Sequence, residues 1–492
     1  YFFMRQRIRL VGYIAGRVEY LFGSAIFERI LRISPTLSEG ASVGAQMARL
    51  RSFESIRDFF TTPLASTLLE LPVSIFFFLL LVWINPWAAL VFMAAVAVYG
   101  LLYLTQFKSI ARMTQHLLAA STERNRFMNE WVANMRQIRS VHGQTEWLNR
   151  FNKLSANATM LNFGIEKKTA GAVAASNFIM MTSALAVVAI ATPMVIAQTL
   201  SSGALIASML LIWRVLYPLQ TIYINITRIE RIRSAVNQIN GLMKIEVEPR
   251  LSSAALSMRR MQGQLQFNRV GYRYAGSTES ALAGLSLKVE SGQLCCLIGT
   301  NGAGKSTLIK LLLRMLPLQN GAILMDGIDI RQYSPTELRR QLGYAPQEVQ
   351  FFRATILQNL RLSRPDAPDS EIERILKQLA AWDDVLSLKD GLHTRLGDNT
   401  QLLGSALMQK LNLARAIVTD APVLVLDEPT THLDHVAIEA LTETLRHLKG
   451  AKTILVLTQH EDLLKVADQM VQLENGSIKT NLLLSQPVVG QP

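Results

Sequence analysis

Apolar residues in the first half of the chain run in blocks and do not alternate with polar ones. Residues 63–84 ("PLASTLLELPVSIFFFLLLVWI") hold one charge, Glu70; 88–105 and 171–197 hold none; 203–224 hold only Arg214. Uncharged stretches of about 20 residues match the hydrocarbon thickness of a bilayer. Buried helices of a soluble core would instead keep a polar face. Four membrane-spanning helices are therefore predicted. A charge at mid-span is costly, so Glu70 and Arg214 are either functional or neutralised at a span end or inside the bundle.

Between the second and third blocks, "LLAASTERNRFMNEWVANMRQIRSV" spaces its apolar residues by three and four and contains no Pro or Gly. That spacing predicts helix throughout. The segments 10–60 and 107–170 would then be cytoplasmic extensions of membrane helices. After a linker at 241–262, rich in Ser, Arg and Met, short β-like runs alternate with helices. The predicted organisation is an α-helical transmembrane domain over 1–240, the linker, an α/β nucleotide-binding domain over 263–482 and a tail over 483–492.

Composition refines this picture. The chain has 492 residues, half of them hydrophobic, and a formal charge of +13; its mean hydropathy is +0.22. Residues 1–60 carry nine Arg and no Lys, and 108–168 are rich in both, whereas the turns 85–87 and 198–202 have neither. By the positive-inside rule, 1–60, 107–170 and everything after about 225 face the cytoplasm. The charge thus needs no nucleic acid, and the spans argue against a nucleic-acid-binding ATPase. Arg5, Arg7 and Arg9 precede no cleavable leader core. Adjacent Cys295 and Cys296 should point to opposite faces of one strand as ordinary buried residues.

The second half carries the chemistry. In "SGQLCCLIGTNGAGKSTLIKLLL", Gly299-Thr300-Asn301-Gly302-Ala303-Gly304-Lys305-Ser306 fits GxxxxGK[ST] between a strand and a helix, with Thr307 following. Backbone N–H groups of such a loop wrap phosphates at a helix N-terminus. Lys305 is placed to reach the outer phosphates, and Ser306 to ligate Mg2+. "VLVLDEPT" supplies a buried strand ending in Asp427, a candidate Mg2+ ligand through water, and Glu428, a candidate to polarise the attacking water.

In this order the motifs resemble those of ATP-binding cassette (ABC) transporters from 265 to 480. The resemblance implies that Tyr274 in "GYRY" stacks on adenine. It implies that Gln347 in "LGYAPQEVQFF" senses Mg2+, and that "TTHLD", ending at Asp434, is the D-loop. The membrane half is similar to exporters of the type I secretion or peptide-export kind in "GRVEYLFGSAIFERIL", "FESIRDFFTTPL" and "GALIASMLLIWRVLYPLQ". Such half-transporters have six spans, so the first two are expected to be absent apart from the tail of the second.

Two motifs depart from the family. Where it has LSGGQ, whose serine and glycine amides grip ATP held by the opposite subunit, this chain has Leu403-Gly404-Ser405-Ala406-Leu407. The serine is displaced by one position, and added side chains are expected to crowd the approach. In "LTQHEDLLKVAD" the switch-histidine position falls on Gln459, with His460 one later; a local shift would restore His460. The resemblance therefore implies ATP and Mg2+ as ligands, and a second half-transporter as partner. The damaged signature favours an unlike partner over a second copy. A bacterial inner-membrane exporter of proteins or peptides is implied, with periplasmic adaptor and outer-membrane channel as family partners. The alternative is an ATP-binding subunit impaired in hydrolysis.

Overall fold

In the computed structural model the described residues are 2–35, 59, 63–245, 247–248, 261–397 and 403–484. The chain divides into two compact units, the first comprising 1–33 and 37–247, the second 34–36 and 248–492. The expected features within 36–58, most of "FESIRDFFTTPL", and most of the linker and tail lie outside the described residues.

The elements described in the first unit are helices: α1 (Phe2–Leu31), α2 (Pro63–Ile84), α3 (Pro86–Ala133), α4 (Met135–Ser140), α5 (Gln144–Ile196), α6 (Ser202–Ile224) and α7 (Ile226–Lys244). The block 63–84 is α2 itself, and 203–224 is α6 but for one residue. The uncharged blocks 88–105 and 171–197 are the apolar parts of α3 and α5, which run on for 48 and 53 residues in all. Ser201 caps α6, its hydroxyl accepting from Ala204 N at 3.1 Å.

The extensions of α3 and α5 form an antiparallel pair. Tyr99 Oη meets Ser176 Oγ at 2.8 Å, Lys168 donates to Ser109 Oγ, and the Phe127 ring stacks on Trp147 at 4.8 Å. The segment expected to be helical throughout is broken at Asn134, whose side-chain amide donates to Glu130 O at 3.0 Å. Such a local bond competes with the helical ladder. The chain then reverses at Val141–Gly143, with His142 at φ 56°. Small residues pack the core between helices, including Ala88, Ala95, Ala172 and Ala184 around Leu216 and Tyr223, as membrane bundles favour.

One expectation for the N-terminus changes. The arginines of residues 1–60 point wholly to the cytoplasm, yet Arg5–Leu31 is a continuous helix that by length and composition could cross a membrane. Its charges lower its hydropathy below that of the other spans, which hid it from a search for uncharged blocks. One of these charges is engaged within the unit: Arg7 Nη1 lies 2.5 Å from Glu70 Oε1. Glu70 is thus a paired residue.

The second unit holds two sheets. The first is antiparallel, β1 (Leu265–Tyr272), β2 (Leu282–Val289), β4 (Asn320–Met325) and β5 (Ile328–Asp329), ordered β2-β1-β4-β5. The second is ordered β10-β9-β3-β8-β7-β6, from β3 (Leu294–Gly299), β6 (Leu342–Ala345), β7 (Val423–Asp427), β8 (Thr453–Leu457), β9 (Gln469–Glu474) and β10 (Ser477–Leu483). All its pairings are parallel except β9 with β10. Continuous apolar runs such as "VLVLD" and "TILVL" suit strands buried on both faces. Cys295 faces the core shared with the first sheet and Cys296 the helical core on the other side. Burial pushes the Cys296 thiol up to about 12 and the Cys295 thiol higher, so both stay protonated.

A candidate nucleotide site at the glycine-rich loop

The loop after β3 turns directly into α8 (Lys305–Leu312), with Gly304 at the N-cap position. Gly304 has φ +98°, and a Cβ there would lie 2.4 Å from Ala281 O. Only glycine fits this close approach to the start of β2. Lys305 is 8% exposed. Its Nζ donates to Gly299 O at 2.5 Å and Thr300 O at 3.2 Å, so the ammonium is folded over the loop.

A cavity of about 560 Å³ opens above this loop, lined by Thr300 through Thr307, Tyr274, Gln347, Asp427 and Glu428. Sequence separations of more than 70 residues thus close onto one site, because β3 and β7 flank β8 in the parallel sheet and deliver their loops to the same edge. Tyr274 Oη lies 3.2 Å from Thr307 Oγ1, and its ring meets Tyr272 edge-on. Gln347 enters from the loop after β6. That loop is fixed from beneath by α10 (Ser405–Val418), which follows α9 (Asp369–Gln378): buried Asn412 donates to Pro346 O at 2.9 Å.

Asp427 is 7% exposed, and burial with the neighbouring Glu428 raises its carboxyl above the ordinary value of 3.8, against a hydrogen bond with Ser306. Glu428 itself sits at φ 46°, an unusual backbone state for a non-glycine residue. A hydroxyl, an amide and two crowded carboxylates around one opening suit a small hard cation that also takes phosphate oxygens. No group of three His, Cys, Asp or Glu capable of holding a metal occurs among the described residues. Any cation here would depend on the phosphates for part of its shell.

The raised Asp427 carboxyl has a consequence for stability. Such a group holds its proton more tightly when folded, so the ligand-free fold loses stability as pH rises above 3.8, and at neutral pH it carries the full penalty. Asp427→Asn should therefore raise the thermal midpoint of the nucleotide-free protein at pH 7. The gain should shrink toward pH 4, and stabilisation by Mg2+ with nucleotide should be lost. Scanning calorimetry across pH checks this; a lowered midpoint at pH 7 counts against the argument.

Other expected site residues lie elsewhere. Gly299 forms the floor of the loop. Gln459 Nε2 donates to Gly299 O at 2.9 Å, so it reaches the loop from below. His460 instead begins the short helix Glu461–Lys465, with its ring 3.7 Å from Asp462. Asp434 caps α11 (His435–Leu448), accepting from Ala437 N at 2.8 Å. Gly404 is the N-cap of α10 with no side-chain cap bond, and both it and Ser405 are exposed outside the cavity. Leu407, expected to crowd the signature, is buried in the helical core beneath it. Helical periodicity turns that position inward. The sequence reading missed Ser277, Glu279, Ser280 and Ala281, which wall the cavity from the β1–β2 loop. The Gly-Ser-Thr turn there marked a loop but gave no hint of its partner.

A glycine-rich loop cradling a helix N-terminus, beside a strand-end carboxylate pair in a parallel sheet, defines a phosphate-loop nucleotide-binding domain. Here it follows a helical membrane unit. The chain belongs to the ABC transporters: residues 2–218 match the ABC transporter transmembrane region family and 282–431 the ABC transporter family. It is 26% identical over 472 residues to the cyclolysin secretion/processing ATP-binding protein CyaB of Bordetella pertussis, covering 96% of this chain and 66% of that protein. It is 24% identical over the same length to the leukotoxin translocation ATP-binding protein LktB of Mannheimia haemolytica. The chain therefore spans just under two thirds of the length of these relatives. The structure of a bacterial Atm1-family ABC exporter with ATP bound has the same fold, with a TM-score of 0.82 at 21% identity, covering 98% of this chain and 84% of that one.

Proposed function

We propose that this chain is one half of an ATP-driven exporter of the bacterial inner membrane, moving a protein or peptide. Its cytoplasmic domain binds Mg2+-ATP at the cavity described above. The likeness to secretion and translocation ATP-binding proteins along 96% of the chain supports this reading. The observation that carries it is the convergence of the phosphate loop, Gln347, Asp427 and Glu428 on one cavity.

In this reading the N–H groups of 300–307 and the N-terminus of α8 bind the phosphates. Lys305 leaves the loop carbonyls for the outer phosphate oxygens. Ser306, Asp427 and Gln347 would hold Mg2+, which when bound would supply positive charge beside the transferred phosphoryl group. Glu428 orients the attacking water and accepts its proton. Gln459, already at the loop floor, can hydrogen-bond the terminal phosphate but cannot become a cation. Tyr274 supplies the aromatic face for adenine.

ABC exporter halves act in pairs, each contributing a signature helix to the other's nucleotide. Gly404, Ser405 and Ala406 at the start of α10 depart from the pattern that such a helix needs. We therefore favour an unlike partner with an intact signature. That partner would complete this chain's cavity, and the reciprocal site would be weak. A second reading, an ATP-binding subunit that turns over too slowly to drive transport, draws on the same segment. Magnesium-dependent ATPase of the full chain in lipid nanodiscs tests both. Glu428→Gln is expected to lower whatever activity the wild type shows by about 10²–10⁴-fold, the usual worth of a positioned general base, with ATP-analogue binding retained. Full wild-type activity in the chain alone rules out both the unlike-partner requirement and the slow-subunit reading.

A further inference from the structure

Arg214 stands twelve residues after Ser202 and ten before Ile224 in α6, roughly 18 and 15 Å from the helix ends at 1.5 Å per residue. It therefore stands near the middle of a helix about as long as the hydrocarbon core is thick. The residue is exposed, as are Trp213 (44%) and Tyr217 (45%). Helical spacing puts these three and Gln220 on one side of α6. Gln220 is bonded to Asn177 of α5 at 2.9 Å. The Arg214 guanidinium lies 6.0 Å from the Phe77 ring of α2. Among the described residues it has no hydrogen bond and no ion pair.

The four apolar blocks offer no spare acid to neutralise it. Glu70 is the one acid in the four uncharged blocks and is held by Arg7. In α1, Glu28 is paired with Arg32, and Glu19 is also engaged. A second copy of this chain would bring another Arg214 and the same paired acids. A cation at this depth costs about 2.5–3.5 kcal/mol facing lipid and is ordinarily turned to a water-filled path. An anionic group entering along such a path would neutralise it.

We propose that Arg214 is a specificity-determining residue that binds carboxylates of the cargo, so that acidic peptide segments are preferred over neutral or basic ones. The Phe77 ring beside the guanidinium gives the pair an apolar flank, and lower local polarity strengthens it. This rests on the exporter reading given above.

The test uses the full chain in nanodiscs of uncharged phosphatidylcholine. Fluorescent versions of one peptide, differing only in Glu, Gln or Lys at the same positions, are titrated by anisotropy. The Glu version should bind at least about tenfold more tightly than the Gln version, the worth of one charge-assisted hydrogen bond, and the Lys version more weakly than both. Arg214→Gln should erase the Glu advantage, and Arg214→Lys should keep most of it. ATP-analogue binding should be unchanged in both variants, which shows that they are folded. Equal binding of the Glu and Gln versions, or a Glu advantage that survives Arg214→Gln, overturns the proposal. So does a change of oligomeric state in Arg214→Gln with loss of all peptide binding, since Arg214 would then pair with an acid of a partner span. If ATP binds but no peptide does, the peptide-export reading itself fails.

Discussion

Gly304→Ala is expected to abolish nucleotide binding while leaving the rest of the fold in place. The backbone at this residue has φ +98°, and the new methyl would stand 2.4 Å from Ala281 O and 2.8 Å from Leu282 Cδ2. Ala281 O is backbone at the entry to β2, so the loop has to yield. Moving it withdraws the amides at the N-terminus of α8 and displaces Lys305. Each charge-assisted hydrogen bond to a phosphate is worth about 1.5–3 kcal/mol, so losing two lowers affinity by about 10²–10⁴-fold. Gly302→Ala is the matched control. Its φ of +83° is equally unusual, but nothing lies within 4 Å of the added carbon, so it should lose much less. Titration of a fluorescent ATP analogue separates the two. Equal losses would mean that backbone strain, and not the contact with Ala281, sets the glycine requirement.

Repairing the signature should raise ATPase activity strongly, provided that Leu407 is left alone. Gly404 is the N-cap of α10, with open space within 4 Å of its would-be Cβ. A serine there fits, and it restores a hydroxyl beside the first-turn amides. Gly404→Ser with Ser405→Gly and Ala406→Gly is expected to increase turnover of the chain alone by about 10²-fold, the order associated with one preorganised donor at a charge-stabilising site. Adding Leu407→Gln should cost stability, about 1–3 kcal/mol for a polar group sent into an apolar core, because Leu407 is 8% exposed and packed in the helical core. The measurement is ATPase beside thermal midpoint for the triple and quadruple variants. If the triple variant gains nothing, the segment as it stands is not the limiting defect.

The two motifs with an altered pattern show why local sequence stops short. "GSAL" told that a helix N-terminus had lost its serine from the usual position. It could not tell that Leu407 points inward, since this depends on which side of α10 meets the sheet. "LTQH" left Gln459 and His460 as alternatives. The bond from Gln459 to Gly299 O, and the turn of His460 into the next helix, follow from where β8 ends beside β3. The arginines of residues 1–60 concealed α1 because hydropathy counts a charge whether or not a partner awaits it. Arg7 finds Glu70 63 residues away.

By itself the sequence determined the division into a membrane half and a nucleotide-binding half. It also determined the phosphate loop and the Asp427–Glu428 pair, since these depend on residue type over short, fixed spacing. Run length against bilayer thickness settles the blocks, and glycine, lysine and hydroxyl placement settles the loop. The tertiary structure decided what depends on distant partners. It paired Glu70 with Arg7, left Arg214 without an acid among the described residues, turned Leu407 into the core, and brought Ser277, Glu279, Ser280 and Ala281 to the cavity wall. Neutralisation, burial and cavity shape belong to pairs of surfaces, and no local pattern encodes a neighbour that only folding supplies.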